Sequence, residues 1–169
     1  MTSSAPCERS TVAELPASAL RVRDALAARG LETTIVYLDR AVRTSAEAAA
    51  AVGCRVDQIA KSLVFRLGTS GAPLLVIASG AHRVDEARVA KLLGESLGKA
   101  DADFVRVHTG FAIGGVAPLA HPEPLTTLID EHLLAWDRIW AAAGHPHTVF
   151  PLTPPDLVRI TGGRVVGVA

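Results

Sequence analysis

Two stretches of the sequence carry residue types that could do chemistry: a lysine set among apolar strand-forming residues, and a glycine-rich loop almost without charge. Lys61 lies in "QIAKSLVFR", where alternation points Lys61, Leu63 and Phe65 to one face. An ammonium on the same face as a Leu and a Phe is costly unless it is paired or used. The same pattern also describes an edge lysine whose stem packs while its head reaches water. Pattern alone leaves both readings open.

The second stretch is "GFAIGGVAPLAH", residues 110–121. Gly114-Gly115 and Pro118 rule out a regular helix or central strand there. The spacing Gly114-x-x-x-Pro118 suits a turn whose successive N–H groups face an anionic or carbonyl oxygen. It equally suits a structural turn beside a core. It is not a phosphate loop, because no Gly-Lys-Ser/Thr follows, and it does not read G-x-G-x-x-G.

The remaining candidates are weaker. His145-Pro146-His147 lacks a nearby Cys, Asp or Glu to complete a metal set and reads as exposed hairpin residues. His82, His108, His121 and His132 are scattered and form no Ser/His/Asp pattern. Asp85 and Glu86 open a helix, where negative charge is stabilising, and Asp130 ends a strand as an open candidate. The sequence therefore predicts no metal site and no cofactor.

The elements that must position these residues mix helices with hairpins. A helical region runs from Ser10 or Thr11 to Arg29, interrupted at Pro16 and stopped by Gly30, and residues 33–38 read as a strand. Thr44 and Glu47 have capping-box spacing before an Ala-rich helix that ends at Gly53. Strands over 62–67 and 74–79 flank a "GTSGAP" turn as a hairpin. Two helices follow, ending at Gly94 and Gly110. After the glycine loop come the strand "LTTLID", a turn of helix at "EHLLAW", and a strand, turn and strand through "RIWAAAG", "HPH" and "TVFPL". A helix opening with two prolines and a closing strand "RVVGVA" end the chain. This order disfavours a purely parallel sheet and predicts a single α+β domain over 11–169 with a mixed, curved sheet, after a loose tail over 1–10.

Composition narrows the function classes. With 169 residues the chain can bury a full core, and with 4% aromatics it lacks the stacking platforms of a general single-strand binder. Lys+Arg and Asp+Glu balance at 17 each, so a partner held mainly by phosphate neutralisation is disfavoured. Cys7 and Cys54 form no CxxC pair, which fits a reducing cytoplasm, and no signal peptide or membrane span is read.

Six blocks in order, "TSAEAAAAVGCRVDQIAKSLVFR", "RVDEARVAKLLG", "HTGFAIGGVAPLAH", "TTLID", "AAAG" and "PPDLVRITGG", resemble the YbaK / prolyl-tRNA synthetase-associated editing domain family over about residues 30–168. The resemblance implies a single α+β domain with a barrel-like mixed sheet flanked by helices. It implies ester hydrolysis of mischarged aminoacyl-tRNA in trans, without cofactor, at the acceptor end, with transient contact to an aminoacyl-tRNA synthetase. The family lysine falls on Lys61. The glycine loop falls on Gly114, Gly115, Val116, Ala117 and Pro118, led in by Thr109, Gly110 and Phe111. Of these, Lys61 and Gly115 are expected to be catalytic and the others to bind substrate, together with Thr44, Ser45 and His82. One departure stands out: Ala120 occupies a position where the family has glycine, and alanine enters left-handed backbone poorly.

With no triad or metal set, the chemistry implied is substrate-assisted. Backbone groups of the loop hold the aminoacyl end, Lys61 acts as an ammonium rather than a base, and a ribose hydroxyl orients water. The alternatives from other classes are a non-catalytic nucleotide- or ligand-binding relative, and an unrelated transferase on a similar frame.

Overall fold

The computed structural model describes residues 15–169. The expected tail over 1–10, the first residues of the first helical region and Cys7 lie outside them. In chain order the elements are α1 (Ala17–Ala28), β1 (Val36–Tyr37), α2 (Ser45–Val52), β2 (Ile59–Leu67), β3 (Pro73–Ser79) and α3 (Glu86–Leu93). They continue with β4 (Leu97–Lys99), α4 (Ala102–Thr109), β5 (Thr126–Asp130), β6 (Ile139–Ala142), β7 (Thr148–Leu152), α5 (Pro154–Thr161) and β8 (Arg164–Val166). Short 3-10 turns cover Val56–Gln58 and Glu131–Ala135.

The eight strands form one mixed sheet in the order β1-β7-β6-β2-β3-β5-β8, with β4 also paired to β2. β2 and β3 are the antiparallel hairpin read from the sequence, while β2–β6, β3–β5 and β5–β8 are parallel. The domain is the expected mixed α+β type, and its sheet stays open, with β1 and β8 at the two ends. The apolar run of β3 follows from burial on both faces: Leu74, Leu75, Val76, Ile77 and Ala78 are all fully buried. Each large aliphatic side chain there contributes roughly 1.5–3 kcal/mol of transfer free energy.

On one face of the sheet, α1, α4, α5 and the glycine loop enclose the main core, which includes Val22, Val105, Phe111, Val116, Phe150 and Leu157. On the other face, α2 covers a small cluster around Ile59 and Trp140, and α3 covers a second one around Leu67, Val76 and Val89. Four of the five helices are eight residues long, too short to stand alone, so packing and caps hold them. The Thr44 side chain accepts from Glu47 N at the start of α2, as the spacing predicts, but the Glu47 carboxylate accepts from Arg43 N at 2.8 Å rather than from the N-cap N–H, so the return bond of the capping box is displaced by one residue.

Several local expectations change: β2 begins at Ile59 rather than at residue 62, and the closing strand stops at Val166. The strand expected over 33–38 shrinks to Val36–Tyr37, because its neighbours enter loops bonded to the β6–β7 turn: Leu38 N donates to His147 O and Val42 N to Pro146 O. β4 is an element that the periodicity did not show. It is three residues long with a central glycine, and its register against Phe65, Arg66 and Leu67 creates it.

Candidate functional site

The alternation of β2 decides where its lysine goes. Ala60 and Val64 face the main core, whereas Ile59 packs under α2, and Phe65 and Leu67 pack near α3. Lys61 thus stands on the second face, in the seam between the two small clusters. That is how a lysine shares a face with Phe65 without being entombed. Its Nζ donates to the His82 carbonyl at 2.5 Å. Burial pulls the Lys61 ammonium below its ordinary pKa, and the negative charge of Asp130 opposes that pull.

Asp130 ends β5 with its side chain fully buried. Its Oδ2 accepts from Ser79 N at 3.0 Å and His82 Nδ1 at 3.4 Å, and its Oδ1 from His132 N at 3.0 Å and His132 Nδ1 at 2.8 Å. Burial raises the carboxyl's pKa, but these bonds outweigh it and keep the group below its ordinary range. The carboxylate therefore fixes the turn after β3 whose His82 carbonyl receives Lys61. His82, Asp130 and His132 also bring donor atoms within 4.8 Å of one another, the one set among the described residues that could hold a metal ion. Their sequence separation hid this set.

Beside Lys61 opens a cavity of about 290 Å³. Thr44, Ser45, Ala48 and Val52 line it from α2 and its cap, and Ala60, Lys61, Ser62 and Leu63 from β2. Trp140 and Ala142 of β6, Val149 of β7, and Ile113, Gly114 and Val116 of the glycine loop complete most of the wall. The lining is mainly apolar. It draws on both faces of β2 because β6 pairs with β2 only at Ile59 and Ala60, and β4 only from Phe65 onward. The cavity occupies the gap between them.

The glycine loop is held by close approach. Gly114 has φ +91° with open space around it, and Gly115 lies flat against His145, where a Cβ would come within 3.0 Å of the His145 backbone. Gly115 N donates to Ala112 O, so its N–H closes the turn. On the far side, His121 Nε2 donates to Ala117 O at 2.8 Å across Ala120, which adopts φ +69°. The left-handed geometry expected of a glycine is therefore kept with alanine in place. Arg21 of α1 donates to Gly110 O at 2.8 Å and stacks over the Phe111 ring at 4.6 Å.

Of the residues singled out in the sequence, Lys61, Thr44, Ser45, Gly114 and Val116 line one cavity. Ala117, Pro118, Thr109 and Phe111 are buried behind it, and Gly110 caps α4. Gly115 supports the loop from behind, and His82 serves through its carbonyl and its bond to Asp130. Ser62, Ile113 and Trp140 also line the cavity and are not among the residues singled out. Ser62 carried a signal: it is the polar member of the Ala60–Ser62–Val64 face. His145 and His147, expected to be exposed, are half-buried, and His147 donates to Leu38 O at 2.7 Å and stacks on Tyr37.

Residues 39–160 match the model of the aminoacyl-tRNA editing domain. The chain belongs to that family. It is 44% identical, with a TM-score of 0.87, to a solved structure provisionally named as a trans-editing enzyme for prolyl-tRNA synthetase, covering 92% of this chain and 98% of that one. Hypothetical protein APE2540 is 30% identical at a TM-score of 0.80, over 88% of this chain and 98% of that one. Among curated proteins, uncharacterized protein YwhH of Bacillus subtilis (strain 168) is 26% identical over 134 residues, 79% of this chain and 85% of that protein. The stretch that matches the family model, residues 39–160, includes α2, Lys61, the glycine loop and Asp130.

Proposed function

We propose that this protein is a trans-acting hydrolase that removes the amino acid from mischarged aminoacyl-tRNA. One observation carries the reading: Lys61 and the glycine loop, far apart in sequence, line the same small, mostly apolar cavity. Family membership and the 44% identical neighbour support the editing role.

In this mechanism the acceptor end of the tRNA enters with its ester at the mouth of the cavity. The N–H groups of Gly114 and Val116 hold the aminoacyl end. Lys61 uses one N–H for the His82 carbonyl and keeps two for the terminal nucleotide or the developing oxyanion. Water, oriented by the neighbouring ribose hydroxyl, adds to the ester carbonyl carbon. The bond to the ribose oxygen then breaks, that oxygen takes the proton, and free amino acid and tRNA leave. Lys61 acts as a positive charge held in place, because an ammonium needs no loss of a proton to do this work. The protein works in the cytoplasm with transient contact to a synthetase. Among the described residues no helix is long and apolar enough to cross a membrane.

The test is deacylation of a panel of mischarged tRNAs by the wild type and by Lys61→Ala. The expected result is turnover of at least one substrate that Lys61→Ala loses while keeping its fold. Wild-type turnover by Lys61→Ala contradicts the mechanism, and no turnover of any substrate contradicts the function.

A further inference from the structure

Ser62 Oγ is the one buried side-chain polar atom among the described residues without a hydrogen-bond partner. An orphan hydroxyl costs free energy in the folded state and calls for an explanation. Its position supplies one, because Ser62 lines the cavity.

The backbone at Ser62 is also open. Gly80 N donates to Ile59 O, so in this antiparallel pair Ile59, Lys61 and Leu63 turn their N–H and C=O groups toward β3. Ala60, Ser62 and Val64 turn theirs to the opposite edge. Ala60 meets β6 there, and β4 begins opposite Phe65. Between them no strand covers the main-chain groups of Ser62. A hydroxyl, a carbonyl and an N–H thus converge at one residue on the rim of an apolar cavity, next to Lys61.

We infer that Ser62 is a substrate-positioning residue that binds the α-amino group of the aminoacyl ester through its hydroxyl and its carbonyl. The aminoacyl residue lies along the open edge of β2 as a one-residue addition to the sheet, a geometry in which main-chain groups recognise main-chain groups. The amino group donates to Ser62, the side chain enters the apolar part of the cavity, and the ester carbonyl faces Lys61 and the glycine loop. This assignment rests on the editing reading above.

The experiment compares kcat/KM for one mischarged tRNA with a free α-amino group and for the same tRNA N-acetylated, in the wild type, Ser62→Ala and Ser62→Thr. The wild type is expected to prefer the free amine. Ser62→Ala is expected to lose about ten-fold on the free-amine substrate, the order of one hydrogen bond, and little on the acetylated one, so the preference narrows. Ser62→Thr keeps the hydroxyl and is expected to keep the preference. Ser62→Ala should melt no lower than the wild type, because it removes a group with no partner. Equal losses on both substrates, no loss on either, or a melting point lowered by several degrees would each overturn the assignment. A wild type that deacylates neither substrate fails the editing reading and takes this one with it; an active wild type with an indifferent Ser62→Ala fails this one alone.

Discussion

Strand β2 and the glycine loop face each other across one cavity, and they hold their shape by different means. β2 is fixed by register: seven residue pairs with β3 set which side chains point where, and the buried Asp130 carboxylate fixes the turn that receives Lys61. The loop is fixed by contact and local strain: Gly115 lies against His145, Phe111 is buried under Arg21, and Ala120 is held in left-handed backbone. The strand supplies charge and polar atoms, and the loop supplies shape and main-chain donors. Changes to β2 should therefore strike activity and spare stability, whereas changes to the loop should strike both or stability alone.

The largest effect expected is from Lys61→Ala, a loss of about a hundred- to a thousand-fold in kcat, the usual cost of one transition-state donor, with little change in melting temperature. Equal losses in activity and stability would erase the contrast between the walls. Gly115→Ala comes next. Its new Cβ meets the His145 backbone at 3.0 Å, which the loop can relieve only by shifting, at a cost of about 1–3 kcal/mol. Denaturant melts and KM together measure whether the loop has moved.

A smaller effect concerns pH. Burial lowers the pKa of His121 and of His145 below 6.5, so the folded state prefers both neutral. The unfolded chain then binds more protons on acidification, and the stability these groups contribute is full above pH 6.5 and lost as pH falls through the folded values. Urea midpoints between about pH 7.5 and about pH 5.5 should fall, and His121→Gln should flatten the slope. Asp130, with its pKa lowered from 3.8, adds to acid sensitivity only below that range. The smallest effect is from Ala120→Gly. Relief of left-handed strain stabilises by about 1 kcal/mol, or about 2–4 °C, less whatever the added backbone freedom costs, with activity kept.

Much of the frame was legible because its signals are local. Thr44 with Glu47 and Gly53, the glycines Gly94 and Gly110, and the two prolines that open α5 mark helix ends by local chemistry, and the apolar run within 74–79 marks a central strand. Lys61 was legible as an anomaly of alternation. The open strand edge at Ser62 was not, because it depends on where β6 stops and β4 starts, two pairings set by distant parts of the chain. The same holds for His82, Asp130 and His132, which meet only because β3 and β5 are parallel neighbours. The loop residues were legible as a block, but which of them face the cavity and which support it from behind required the packing of His145 and Phe111.

The central claim is that Lys61 works as a charge held at the cavity. The pH dependence of single-turnover deacylation, with Lys61→Ala run alongside as the blank for spontaneous ester hydrolysis, tests it most directly. The account predicts a corrected rate that falls as pH rises through the Lys61 pKa, which burial places below the ordinary 10.5, and an Asp130→Asn variant whose fall comes at lower pH because the opposing charge is gone. A corrected rate that instead climbs through that range would make Lys61 a base and contradict the account.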